Sequence, residues 1–146
     1  MKHRKSLMLG AFVVTGILGA APAIGATTNS TMGKLPPELT QGNVTYVTGG
    51  IGHDEAAAMR KEEREFPLSL EFVKRAKPTS EYVSGVDVTI KDSQGKTDLH
   101  ALADGPMLLA KLPDGKYKVS AKLNGKTRTR DVVIAKHRSE HIVFEW

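Results

Sequence analysis

From residue 43 onward the chain alternates apolar and polar positions in short runs, each closed by a turn signal. The clearest run is Leu112-Pro-Asp-Gly-Lys-Tyr-Lys-Val-Ser-Ala-Lys-Leu-Asn-Gly125. Tyr117, Val119, Ala121 and Leu123 share one face, and Lys116, Lys118, Ser120 and Lys122 share the other. A period of two between a Pro-Asp-Gly turn and an Asn-Gly turn predicts a half-buried antiparallel strand. Comparable runs predict strands at 43–48, 68–73, 97–102 and 126–134. A further run, with Tyr82, Val86, Val88 and Ile90 on one face, predicts another, and Ile142, Phe144 and Trp146 predict the last. The stretch 107–112 is almost wholly apolar, as an interior strand would be. Turn signals from residue 92 onward recur about every ten residues, the spacing of an all-β sandwich.

One helix interrupts the pattern. Gly49-Gly-Ile-Gly52 breaks the first strand, and Asp54 is placed to cap a helix running to Glu65, where Pro67 stops it. Ala56, Met59 and Phe66 fall near one face, while Arg60, Lys61, Glu62, Glu63 and Arg64 stay wet. So weak an amphipath predicts a helix on the rim of the sandwich. The hairpin register makes a sharper expectation. A two-residue Asn124-Gly125 turn pairs Lys118 with Asp131 and sets Lys126, Arg128 and Arg130 in line with Val132 and Ile134. Either the hairpin tip projects beyond the core, or a bulge changes the register there.

The start of the chain has a different composition. Met1-Lys-His-Arg-Lys5 is basic, 7–20 is an apolar run broken only by Thr and Gly, and small residues follow through Ala26. This is the layout of a secretory signal peptide, forming a signal-peptide helix over 1–26 with cleavage after Ala23 or Ala26 and delivery to the periplasm. Residues 27–42, rich in Thr, Ser, Asn, Gly and Pro, read as a flexible linker, and 43–146 as the folded domain. No Cys is present, so neither a lipoprotein anchor nor a disulfide is expected. The formal charge is +5, but Lys2, Arg4 and Lys5 lie in the leader; the remaining 18 bases face 16 acids. Export together with this near balance argues against nucleic acid as a partner.

The block Asp104-Gly-Pro-Met-Leu-Leu-Ala-Lys-Leu-Pro-Asp-Gly-Lys-Tyr-Lys-Val119 is followed by an Asn-Gly turn and the strand Thr127-Arg-Thr-Arg-Asp-Val-Val-Ile134. It resembles the carboxypeptidase regulatory-like domains. Tyr46-Val-Thr-Gly-Gly-Ile-Gly52, Asp54-Glu-Ala-Ala-Ala-Met59 and Leu68-Ser-Leu-Glu-Phe72 narrow the resemblance to small exported proteobacterial proteins that carry such a domain. The resemblance spans 46–146. It implies a mainly β fold, a seven- to eight-stranded antiparallel β-sandwich of the transthyretin-like or Ig-like kind, with one short helix near 54–65. The transthyretin-like fold also hosts a purine-pathway hydrolase whose relatives end in Tyr-Arg-Gly-Ser, whereas this sequence ends in Phe-Glu-Trp, so that activity is not carried over.

Candidate chemistry is sparse. His137 and His141 stand four apart, but in a turn and at a strand edge rather than on one helical face, so no metal site is expected. The loop 48–52 could offer N–H groups to an anion, yet it lacks the Lys-Ser/Thr of a P-loop and reads as a plain turn. The acids Asp54, Glu55, Glu62, Glu63 and Glu65 read as a solvated helix face, and strand placement suggests no Ser-His-Asp set. No catalytic residue and no cofactor are assigned. What stands out is a basic hairpin: Lys116, Lys118, Lys122, Lys126, Arg128 and Arg130, with Lys136 and Arg138 beyond, against Asp131 alone. The expectation is a non-catalytic exported envelope module that binds a protein or serves as a structural accessory. The alternative is a binder of anionic glycan or lipid headgroups through residues 116–138, and behind it stands an unrecognised hydrolase or metal protein.

Overall fold

The computed structural model describes residues 33–146. The expected signal peptide, and the linker as far as residue 32, lie outside the described residues. Among the described residues, ten strands form two sheets. The first carries β1 (Leu39–Gln41), β2 (Val44–Gly49), β7 (Met107–Lys111), β3 (Leu68–Lys74) and β10 (Glu140–Glu145) in that order, with the two-residue β4 (Glu81–Tyr82) also pairing β3. The second runs β6 (Thr97–Ala103), β5 (Val86–Asp92), β8 (Gly115–Leu123), β9 (Lys126–Ile134). One helix, α1 (His53–Glu62), continues as a 3-10 turn at Glu63–Glu65. The expected β-sandwich is therefore what the chain forms.

Alternation explains the core. Leu68, Leu70 and Phe72 of β3, Val86, Val88 and Ile90 of β5, and Tyr117, Val119 and Ala121 of β8 all point between the sheets, where they are buried. Phe72 and Phe144, in register across β3 and β10, stack at 6.2 Å, and Trp146 joins them at 6.3–6.5 Å. The apolar run of β7 is explained by burial on both sides. Leu108, Ala110 and Leu112 face the second sheet, while Met107 and Leu109 face α1 in a second core with Val47, Met59, Phe66 and Leu35.

Several expectations are corrected. The helix lies on the outer face of the first sheet rather than on the rim: Met59 is 0 % and Phe66 2 % exposed. Asp54 does not cap it. Gly52 holds the N-cap position without a side-chain bond, and Glu55 Oε1 instead accepts the N–H groups of Gly50 (2.8 Å) and Ile51 (3.3 Å). Residues 39–41, placed in the linker by composition, pair with β2 as a strand. Tyr82 does not share the face of Val86; Gly85 at φ 73° turns the chain between them and leaves Tyr82 57 % exposed. The sandwich is also not wholly antiparallel, because β10 pairs parallel to β3. The chain reaches β10 by crossing from one sheet to the other, and only a hairpin within one sheet forces neighbours to be antiparallel.

Both open seams of the sandwich are stitched by side chains. On one side the Gln41 amide donates to the His100 carbonyl and accepts the His100 N–H. On the other, the Trp146 indole donates to the Lys126 carbonyl at 2.9 Å and Arg128 Nε to the Glu145 carbonyl at 3.1 Å. The turn at 104–106 is held against β2 by Thr48, whose hydroxyl accepts the Asp104 N–H and donates to the Met107 carbonyl. Gly105 is required there, since a Cβ would run into the Gly49 carbonyl.

Candidate functional site: the basic hairpin

The β8–β9 hairpin carries all six basic residues singled out by the sequence. Its register is unbroken from Gly115↔Ile134 to Leu123↔Lys126, and Lys118 stands opposite Asp131 as the turn chemistry predicts. Asn124 at φ 49° and Gly125 at φ 78° make the two-residue turn. With no bulge, the tip projects. Val132 and Ile134 are 7 % and 2 % exposed, whereas every residue from 126 to 131 on the same strand is exposed.

This register divides the six cations. Lys116, Lys118 and Lys122 lie on the outer face of the second sheet, where Asp131 opposes Lys118 and Asp87 opposes Lys122. Lys126, Arg128 and Arg130 lie on the face that turns toward the core, opposite Leu123, Ala121 and Val119. Grouping them into one patch by closeness in sequence is therefore corrected: a one-residue step along a strand changes the face. The two groups also differ electrostatically. The outer lysines share their face with carboxylates, although Asp87 also bonds His100 Nε2 at 2.7 Å and Lys91 adds a like charge beside Lys118. No carboxylate stands opposite the core-side trio, and among the described residues none of the three makes an ion pair.

The surroundings of the trio are ordered. Arg75 holds the Glu145 carboxylate by two bonds, Nε at 3.0 Å and Nη2 at 3.2 Å. That hydrogen bonding, with the charge of Arg75 and a smaller contribution from Arg128, lowers the Glu145 pKa and outweighs the opposing effect of desolvation. Arg128 bonds the Glu145 main chain rather than its carboxylate. Arg130 Nη1 donates to the Thr129 carbonyl at 3.1 Å and so lies along the strand edge. Since β9 ends its sheet, one side of its backbone has no strand partner.

Other expected sites resolve differently. The glycine loop is no anion cradle, because Glu55 already occupies the N–H groups of Gly50 and Ile51. His137, at φ 61°, sits in the turn after β9. His141 lies in register with Ser69 on the parallel neighbour, and its Nδ1 is 3.2 Å from Ser69 Oγ. Glu63 Oε1 is 3.8 Å from that nitrogen, and Glu71 Oε2 is 3.7 Å from Nε2. Sequence reasoning missed this cluster, since only a parallel pairing 72 residues apart assembles it. Ser69 is 2 % exposed, which closes its hydroxyl to an incoming electrophile. The contact instead ties the 3-10 turn, β3 and β10 together.

A cleft of about 530 Å³ opens between the glycine loop, α1 and β4, with Ile51, Ala56, Val83 and Met107 among its walls. At its mouth Arg60 Nη2 donates to the Tyr82 hydroxyl at 2.9 Å, and the guanidinium sits 5.9 Å from that ring's centroid. A second groove, of about 600 Å³, runs past Lys91, Lys116, Lys118 and Asp131 at one end of the outer face. Comparison with family models returns no match for this chain, and comparison with curated proteins returns none either.

Proposed function

We propose that this chain is a non-catalytic, exported envelope module that binds an acidic protein partner through the core-side edge of β9. The observation that carries the reading is the division of the basic hairpin. Three cations, Lys126, Arg128 and Arg130, stand on an edge strand with apolar residues opposite them, while the outer lysines have carboxylates on their own face. A row of cations with no carboxylate opposite it, beside a Glu145 carboxylate already bonded by Arg75, supports association with an anionic surface and steers encounter. The open strand edge beside these cations favours a protein partner over a flat bilayer, because only a polypeptide can pair its main chain with β9. The basic start of the chain, its apolar run and Ala23 and Ala26 support export to the periplasm. The sandwich, the Pro-Asp-Gly-Lys-Tyr element and the head segment support kinship with the carboxypeptidase regulatory-like domains, a kinship that carries fold and export but no activity.

Photo-crosslinking in cells from position 127, at the strand edge, against position 89, in the middle of the sheet, tests this. A discrete protein adduct from 127, absent from 89 and abolished by K126E/R128E/R130E, is expected. Adducts with lipid or glycan alone, or equal labelling from both positions, would overturn it in favour of the anionic glycan or lipid reading.

A further inference from the structure

We propose that the acidic segment of the partner docks as an added strand, pairing along residues 126–132 of β9 and extending the four-stranded second sheet to five. This rests on the reading of β9 as the working edge and says how the partner is held.

The hairpin turn decides which backbone groups are available. A two-residue turn makes Leu123 and Lys126 its first hydrogen-bonded pair. The even-numbered residues of β9 therefore bond β8. The N–H and C=O groups of Thr127, Thr129, Asp131 and Val133 point away from the sheet. Arg130 already marks this direction, since its guanidinium rests on the Thr129 carbonyl, an exposed bond that an incoming strand's N–H would replace. The edge is nine residues long and free of bulges. Of the other sheet edges, β1 has three residues, the Gln41 amide occupies both main-chain groups of His100 on β6, and β10 is shorter, at six residues, with its Glu145 carbonyl already accepting Arg128.

Charge selects the occupant. A second copy pairing antiparallel about a two-fold axis perpendicular to the sheet keeps each face on its own side. Centred on residue 128 it would set the row Lys126, Arg128, Arg130 against the same row of its partner, and like charges directly opposite are destabilising. Centred on 130 it would still oppose the two Arg130 side chains and would carry Lys126 and Arg128 to the buried Ile134 and Val132. A strand with acidic residues at alternate positions reverses that sign. Alternate residues along a strand repeat every ~6.6 Å, so Glu or Asp at i, i+2 and i+4 would meet the three cations in register. The same cations thus discourage self-association and fit an acidic strand.

The test uses the full chain and three capped heptapeptides of identical composition. One has Glu at alternate positions between Val and Thr, one has its Glu residues contiguous, and one is the alternating peptide N-methylated on every second amide. The alternating peptide should bind about tenfold more tightly than the other two, with main-chain pairing and register lost in them. It should also slow amide exchange at Thr127, Thr129 and Asp131. Equal binding of all three, abolished by K126E/R128E/R130E, would overturn strand addition while leaving the anionic-partner reading intact. Failure of every peptide and of polyglutamate to bind at low salt would overturn both. Sedimentation showing a dimer, with the same amides protected in the absence of peptide, would replace the acidic strand by a second copy.

Discussion

The two halves of β9 share one face and differ in what covers it. Val132 and Ile134 close the core between the sheets, while Arg130, Arg128 and Lys126 continue the same row into solvent. The strand itself does not change: register and backbone run through without a bulge. What changes is the neighbour. Past Val132 the opposite sheet offers little more than the Trp146 end of β10, so the inward face becomes an exterior. A sheet face is buried only as far as something covers it, and where cover ends the same periodicity can serve binding.

The largest expected contrast comes from truncating each half. Ile134→Ala should lose about 2–5 kcal/mol through lost burial and a residual cavity. Arg130→Ala should stay within about 0.5 kcal/mol. Urea unfolding followed by fluorescence of Trp146 measures both, and comparable losses would erase the distinction. Tyr117, opposite Val132, belongs to the buried half and donates its hydroxyl to the Pro113 carbonyl at 2.7 Å. Tyr117→Phe should cost about 1 kcal/mol in the same assay, the usual worth of a part-buried bond. Making the exposed half apolar, K126V/R128V/R130V, should alter monomer stability by less than about 1 kcal/mol. It should nevertheless produce concentration-dependent association in sedimentation velocity, because an uncharged long edge pairs with copies of itself. A variant that stays monomeric at high concentration would contradict that.

The smallest effect concerns acid. The Glu145 pKa lies below the ordinary carboxyl value because Arg75 bonds and neutralises it. The pair therefore stabilises the fold above the unfolded carboxyl pKa of about 4.3 and loses its effect as pH falls through the lower folded value. Both side chains are largely solvated, so the difference in thermal midpoint between the wild type and E145Q should be slight at pH 7. It should shrink to nothing in stronger acid. A difference that grows on acidification would reverse the assigned sign.

Much of this architecture was legible in the sequence, for reasons that particular residues make clear. Alternation set the inward row Tyr117, Val119, Ala121, and the Asn-Gly turn set the Lys118–Asp131 pairing. The helix was legible in existence but not in placement. Its apolar content is slight, and the residues that need its cover, Val47, Met107 and Leu109, lie on other strands. The parallel β3–β10 pairing had no local signal, so neither did the contact of Ser69 with His141. Tyr82 misled because it keeps the period of β5 while Gly85 redirects the chain. The division of the basic residues was implicit in the register, yet proximity in sequence joined what the pleat separates.

Paired charge reversal decides whether the core-side trio rather than the outer trio forms the working edge. Binding of the full chain to immobilised polyglutamate would be measured at low and moderate salt for the wild type, K126E/R128E/R130E and K116E/K118E/K122E. The first triple should weaken binding by about tenfold or more and flatten its salt dependence, while the second should stay within about threefold of wild type. Equal losses in the two triples, or a larger loss in the outer one, would contradict it.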